Sequence, residues 1–426
     1  MTTVTTPHRL LRNGRYAAWL ISDTAKGLAS ALFGFAIPLI ALFATNSPAQ
    51  AGIIGAVGMA VRTLTTLFGG LLADRHGRIA LMMRGALVGV ALSAAFTAIA
   101  LADALTFATL LVLQVLLAAR TGLFDVAGES ALKEIVPDDA MGRAQAANQG
   151  RDALLQLTGG PLGGVLLAAG AWLVGAVMAM CHLVAAATAW LLRRSASPVE
   201  AGPEATPDPA ARASAGREIA EGFRWLLARR DLRGVLVVAT IINLGLSTAL
   251  TTVTYALQQQ GHSPVTIGFL ATGAGAAMLV GAVFAPALVA KLPAGLVIIG
   301  GIVAAAAGMA ALIPLHAPLH LALALAGAVV VIPAVNAALM GYFMVATPSR
   351  MLGRANSASA VLSMGALPLA PLVAGVGLTL VGREWTLVTA ASLCAAAVLL
   401  AWTNGALRAL PVERAWSAHA AQFATS

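Results

Sequence analysis

The chain has 426 residues, of which 59% are hydrophobic and only 10% charged, with a net charge of +9 and a mean hydropathy of +0.87. A soluble domain carries about 25% charged residues, so this composition excludes a soluble globular protein. The basic residues are not clustered with aromatics, which speaks against nucleic acid as a partner, and their placement instead follows the positive-inside rule. Apolar runs of about 20 residues cross a ~30 Å hydrocarbon core, and they must be helical because lipid offers the backbone no hydrogen-bond partners. The pattern predicts twelve spans, at 17–43, 51–73, 79–101, 105–127, 144–169, 171–192, 234–257, 266–290, 294–313, 319–346, 356–381 and 385–407. Only Arg383 of the 26 Lys and Arg falls in an outer loop, while Lys26, Arg62 and Arg120 fall inside spans. Both termini are therefore expected in the cytoplasm.

The segment from Met1 to Arg15 is polar and basic, with no small-residue cleavage site behind a short apolar core. The first helix is expected to stay in the mature protein. Asp23 then lies inside that helix, roughly 12 Å deep at ~1.5 Å per residue, with Lys26 almost one turn beyond it. A charge at that depth costs about 2.5–3.5 kcal/mol on insertion scales unless it is paired or hydrated. Arg62 stands near the middle of the second helix, Arg120 and Asp125 on the fourth, and Arg151 and Asp152 near the inner end of the fifth. A buried carboxylate beside a cation can alternate between an ionised, paired state and a protonated, free one. Asp23 with Lys26 or Arg62 is the leading candidate for such a proton switch, with Arg120, Asp125 and Asp152 as further coupling candidates. The plain alternative is a permanent ion pair that fixes helix packing.

Between the second and third spans runs Gly70-Leu71-Leu72-Ala73-Asp74-Arg75-His76-Gly77-Arg78. As G-x-L-x-D-R-x-G-R it resembles the loop between helices 2 and 3 of major facilitator superfamily transporters. Gly70 would let a neighbouring helix approach closely. The resemblance implies an all-α membrane protein of twelve transmembrane helices in two six-helix pseudo-repeats, the major facilitator fold. It also implies a gating role for Gly70, Asp74, Arg75, Gly77 and Arg78, with Asp125 where the superfamily often places a partner for Arg78. By the same resemblance, helices 1, 4, 5, 7, 10 and 11 line the path. In the fifth span, Gly160-Pro161-Leu162-Gly163-Gly164 resembles the core of the drug-exporter antiporter motif, carried by Gly160, Pro161 and Gly164. Proline removes one helical hydrogen bond, so this helix is expected to bend or pivot.

From Ser195 to Ala213 the sequence is rich in Pro, Ala, Ser and Glu and reads as a flexible linker. Gly216 to Arg230 turns amphipathic, with Ile219, Phe223 and Leu226 on one face and Arg217 one turn from Glu221 on the other. It reads as a helix lying along the inner membrane surface. Glu221-Gly222-Phe223-Arg224-Trp225-Leu226, followed by Asp231-Leu232-Arg233, resembles the stretch before the seventh helix in the exporter group that includes macrolide efflux proteins and the enterobactin exporter. Three parts are expected: 1–194, an N-terminal six-helix bundle; 195–233, a cytoplasmic linker; and 234–426, a C-terminal six-helix bundle with a short tail.

Pro137-x4-Gly142-Arg143-Ala144 recurs as Pro348-x4-Gly353-Arg354-Ala355 at an offset of 211 residues, as two parallel repeats would show. The halves are chemically unlike, however. No Asp or Glu occurs between Asp231 and Glu384, so the first half is expected to handle protons and the second to supply a pliable apolar wall. Substrate-cavity candidates are Phe33, Gln114, Gln156, Asn243, Tyr255, Asn336, Met340, Phe343 and Met364, since apolar and Met-rich surfaces adapt to varied ligands. Cys181, Cys394 and His182 read as packing residues, with no disulfide and no metal site. No phosphate-binding loop, ATPase motif or nucleophile elbow is present, so enzyme chemistry is not expected, and a proton gradient rather than a cofactor is the expected energy source.

The reading that follows is a monomeric, multi-pass protein of the cell membrane. It would export small lipophilic or amphiphilic molecules by alternating access and proton antiport, with protons and membrane lipid as its other partners. A more specific siderophore, metabolite or lysophospholipid transporter is the alternative, followed by a transporter-like sensor.

Overall fold

A computed structural model of the chain describes residues 13–136, 138–194, 221–348 and 351–423. Within these the backbone is helical almost throughout and contains no strand. In chain order the helices are α1 (Gly14–Thr45), α2 (Pro48–Arg75), α3 (Arg78–Leu101), α4 (Phe107–Ile135), α5 (Asp138–Ala169), α6 (Ala171–Arg194), α7 (221–228), α8 (Arg230–Gln259), α9 (Pro264–Lys291), α10 (Ala294–Ala311), α11 (Pro318–Val329), α12 (Ile332–Ala346), α13 (Leu352–Met364), α14 (Leu369–Leu380), α15 (Gly382–Thr403), α16 (Gly405–Arg408) and α17 (Trp416–Ala421).

Local sequence sets the ends. Asn13 caps α1 by accepting from the amides of Arg15 and Tyr16, at 3.0 and 3.4 Å. Asn46 closes the same helix in the left-handed conformation that Asn tolerates, φ 47°. Thr106 and Thr109 form a reciprocal capping box at the start of α4.

Eleven stretches among the described residues are long and apolar enough to cross a membrane. The twelfth member of the fold, α5, carries Arg151 and Asp152 along its length. Large apolar side chains such as Phe43, Phe68, Phe284, Leu323 and Trp402 stand exposed on the helix flanks, as a lipid-facing surface requires.

The chain divides into two compact units. One comprises residues 1–46, 57–207 and 263–268, the other 47–56, 208–262 and 269–426. In the first, α1 packs against α4, α5 and α6, and α3 against α4 and α6. Its core holds Tyr16, Trp19, Leu81, Leu132 and Leu192, with small residues such as Ala127 and Ala189 letting helices close up. In the second, α8 packs on α13, α14 and α15, and α10 on α11, α12 and α15. Its core includes Val238, Ile298, Ala334, Tyr342 and Ala397.

Two predicted spans are not single helices. The run 319–346 breaks at Val330–Val331, ahead of Pro333, and 356–381 breaks at 365–368, ending at Pro368. At the second break Gly365 N–H bonds Val361 and Leu367 N–H bonds Met364. The carbonyls of Leu362 and Ser363 are taken from α8 instead, by Thr240 Oγ1 at 2.7 Å and Asn243 Nδ2 at 3.3 Å. By contrast α5 continues as one helix from Asp138 to Ala169 with Pro161 inside it.

The apolar face of the linker helix is packed. In its described part, α7, Leu226 is fully buried in the core of the second unit, with Phe223 and Trp225 packed beside it. Glu221 pairs with Arg354 of α13 at 2.7 Å, and the expected Arg217 partner lies outside the described residues. The tail is ordered as well. Trp416 of α17 packs on Gly341 and edge-on against Tyr342, while Leu407 and Leu410 enter the same core.

Candidate functional site: a buried charge cluster in the first unit

Asp23 sits in α1 with 5% of its surface exposed. Its Oδ1 lies 2.7 Å from Lys26 Nζ and its Oδ2 lies 2.8 Å from an Arg151 Nη of α5. One carboxylate therefore ties two cations from two helices. Lys26 reaches on to α4, hydrogen-bonding the Asp125 carbonyl at 3.4 Å and standing 3.8 Å from its Oδ1. Arg120, 4% exposed, approaches the same Oδ1 at 3.4 Å and donates its Nε to the Gly85 carbonyl of α3 at 2.9 Å. Three cations thus surround two carboxylates, and the chain of contacts joins α1, α3, α4 and α5.

The frame around it is built for close approach. Gly128 of α4 faces the pair so tightly that a Cβ there would stand 2.8 Å from Asp23 Oδ1 and 2.9 Å from Lys26 Nζ. Trp19, one turn before Asp23, donates its indole N–H to the Gly128 carbonyl at 2.8 Å, and the Arg151 guanidinium lies over its ring at 5.8 Å. Ser22 bonds the Ala185 carbonyl of α6 at 3.0 Å, which fixes the rotation of α1. A cavity of about 10 Å³, lined by Ser22, Asp23, Lys26, Arg120 and Asp125, adjoins the carboxylates. That is close to the space one water needs. The arrangement holds side chains of α1, α4 and α5 together through shared ion pairs.

Several sequence candidates meet here and others do not. Asp23, Lys26, Arg120 and Asp125 form one cluster, while Arg62 is exposed on α2 and stands apart from it. The cation in its place is Arg151, which the sequence marked as an intramembrane charge without choosing it as a coupling residue. Asp152 is exposed and bonds Arg151 at 2.8 Å, on the rim. Asp125, expected to partner Arg78, pairs instead with Arg120. Arg78 reaches Glu134 at 3.2 Å and the Ser130 carbonyl at 3.1 Å. Gly77 caps α3 without a side-chain bond. The side chains of Asp74 and Arg75 lie outside the described residues. Gly70 has open space where its Cβ would be, and the close approach falls one residue earlier, where Gly69 meets the Gly122 carbonyl.

In α5 the glycines serve packing. Gly159 and Gly163 meet Ala31 and Phe35 of α1, while Gly160 and Gly164 meet the backbone at the start of α9, at Gly268 and Pro264. Of the cavity candidates, Gln156, Asn336, Met340 and Met364 are exposed and Phe33 is half-buried. Tyr255 and Phe343 are buried core residues, 1% and 7% exposed. Gln114 is buried with its amide against Gly58. Asn243 caps the broken end of α13, as described above.

Comparison with known proteins agrees with this architecture. A bacterial homologue of the iron transporter ferroportin, in an inward-facing state, superposes with a TM-score of 0.67 at 16% identity, covering 96% of this chain and 100% of that one. A bacterial metal transporter gives 0.63 at 13% identity, over 93% and 99%. A bacterial homologue of the human lysosomal transporter Spinster, inward-facing and unoccupied, gives 0.61 at 14%, over 99% of each chain. At these identities the likeness carries the fold alone. No curated protein sequence matches the chain. The Major Facilitator Superfamily profile, however, matches residues 21–371, from the start of the buried charge cluster to the second broken helix. With twelve membrane helices in two halves and a transporter's fold, the chain belongs to the Major Facilitator Superfamily.

Proposed function

We propose that the protein is a secondary active exporter of small lipophilic or amphiphilic molecules, working by alternating access and driven by proton antiport. It would reside in the cell membrane with both termini cytoplasmic. The observation that carries this reading is the Asp23 carboxylate held between Lys26 and Arg151. Protonating Asp23 neutralises the one group that links these cations, so α1 and α5 lose their ionic tie. Lys26 then leans on Asp125, which already serves Arg120. Breaking a buried pair is costly, about 3–5 kcal/mol when one partner is removed. A proton delivered there changes the relative stability of two helix arrangements by an amount sufficient to reverse a population.

The lipophilic side of the reading rests on the second half. No carboxylate occurs between Asp231 and Glu384, and the exposed Met340 and Met364 offer adaptable apolar surface. Metal cargo is the second reading, since one similar structure is a bacterial metal transporter and another a bacterial homologue of an iron transporter. It is less favoured because no group of three His, Cys, Asp or Glu converges among the described residues.

The experiment is transport in proteoliposomes, with dyes, antibiotics, siderophores and lysophospholipids screened with and without an imposed pH gradient. Gradient-dependent efflux of the lipophilic compounds, lost in Asp23→Asn while that variant keeps the wild-type helical content and elutes as a single species in detergent, is expected. Equal transport in the wild type and Asp23→Asn under the same gradient would sink the coupling role.

A further inference from the structure

The second unit contains a cavity of about 70 Å³ bounded by α8, α10 and α12, with Leu407 of α16 also on its wall. Protein interiors close-pack, and voids beyond the size of a water are few in any domain. Small residues line this one, among them Ala239 and Ala305, while Gly301 lets α10 close on Val335 of α12, and the cavity reaches the surface at the exposed Asn336. We propose that it is a binding site for a compact, neutral, branched apolar group bearing one hydrogen-bond-accepting atom. The proposal extends the export reading by naming what part of a lipophilic substrate this unit holds, yet binding here stands or falls independently of Asp23.

Three observations set the ligand's chemistry. The wall is branched aliphatic, with Ile242, Ile298 and Ile302 contributed by two helices, which suits a branched rather than a planar group. Every lining side chain is uncharged, and no Asp or Glu occurs on this unit's helices from 232 to 383. A cation entering the cavity would lose its water without gaining a counter-charge, so a charged group is rejected. Two amides, Asn243 and Asn336, are the polar features of the wall. Asn243 donates to the Ser363 carbonyl at 3.3 Å, beyond the usual 2.7–3.2 Å range for such bonds. The amide carries a second N–H, which a ligand acceptor in the cavity can take while the Ser363 bond stays in place.

The test uses the full chain in lipid nanodiscs with its isoleucine δ1 methyls ¹³C-labelled, titrated with neopentyl alcohol and, separately, with the neopentylammonium ion. Saturable shifts at Ile242, Ile298 and Ile302 with the alcohol, and none with the ammonium ion, are expected. Filling the cavity by Ala305→Phe abolishes the shifts. Asn243→Leu weakens binding by about tenfold, the scale of one lost hydrogen bond. Should Ala305→Phe misfold, Ala239→Leu fills the cavity from α8. Absent or non-saturating shifts overturn the proposal, as do equal shifts from the ammonium ion. Shifts that persist in the filled variants mean partition into lipid and overturn it too. Loss of gradient-driven transport in Asp23→Asn with these shifts intact would separate the two readings.

Discussion

Gly128 stands so close to Asp23 that any side chain at its position would fall on the carboxylate, 2.8 Å from Oδ1 by the Cβ alone. Lys26 Nζ is equally near, at 2.9 Å. Both neighbours are side-chain ends, but each is anchored by an ion pair and cannot simply swing aside. Gly128→Ala is expected to destabilise by about 1–3 kcal/mol, the usual cost of overpacking, and Gly128→Val by more. A melting series in detergent that leaves Gly128→Ala at the wild-type value would show the cluster to be loosely held.

The cluster behaves as a unit, so its members are not additive. Lys26→Met leaves Asp23 with Arg151 and deprives Asp125 of one contact. It is expected to cost about 3–5 kcal/mol, the scale of a broken buried pair. Asp23→Asn combined with Lys26→Met removes one charge of each sign and is expected to recover part of that loss. A double-mutant cycle on thermal stability reads the coupling directly, and strict additivity would contradict the shared network.

Arg78 and Glu134 give the opposite expectation. Their side chains are 29% and 45% exposed, and exposed pairs contribute about 0–1 kcal/mol. Glu134→Gln should barely move the melting temperature, and high salt should erase what difference there is. A large loss of stability would mean that Arg78 is doing more than its two visible bonds.

The broken helix depends on donors from α8. Thr240→Val keeps the shape of the side chain but removes the hydroxyl that bonds the Leu362 carbonyl. The orphaned acceptor costs about 1–3 kcal/mol, and amide exchange over residues 365–370 should quicken. Unchanged protection there would place the stability of the break elsewhere.

Tail docking is tested at Trp416. It is 4% exposed, lies against Gly341 and Tyr342, and donates its indole N–H to the Pro411 carbonyl at 3.0 Å. Trp416→Ala is expected to cost about 3–5 kcal/mol and to open 405–423 to proteolysis. A protease-resistant tail in that variant would show that Leu407 and Leu410 suffice to hold it.

Composition and the length of the apolar runs determined the class, because hydrocarbon forces any spanning backbone into helices and those helices into a fixed length. The loop from Gly70 to Arg78 determined the family, since its charges and glycines recur at one place in the topology. The sequence also located the unusual residues: charges at membrane depth are rare enough that Asp23, Lys26, Arg120, Asp125 and Arg151 could each be marked in isolation. Their pairing was another matter. Arg62 and Arg151 look alike in sequence, and only the rotation of α1 and α5 about their axes brings Arg151 onto Asp23 while leaving Arg62 exposed. Gly128 and Trp19 carried no signal, because one glycine or tryptophan in an apolar helix resembles any other until its neighbour is known. Proline alone does not separate a broken helix from a continuous one. Pro161 sits in an unbroken helix whose glycines pack on other helices, whereas the α13–α14 break persists because Thr240 and Asn243 supply the donors that its carbonyls lack. A helix breaks where tertiary partners satisfy its backbone, and those partners lie more than a hundred residues away in the chain.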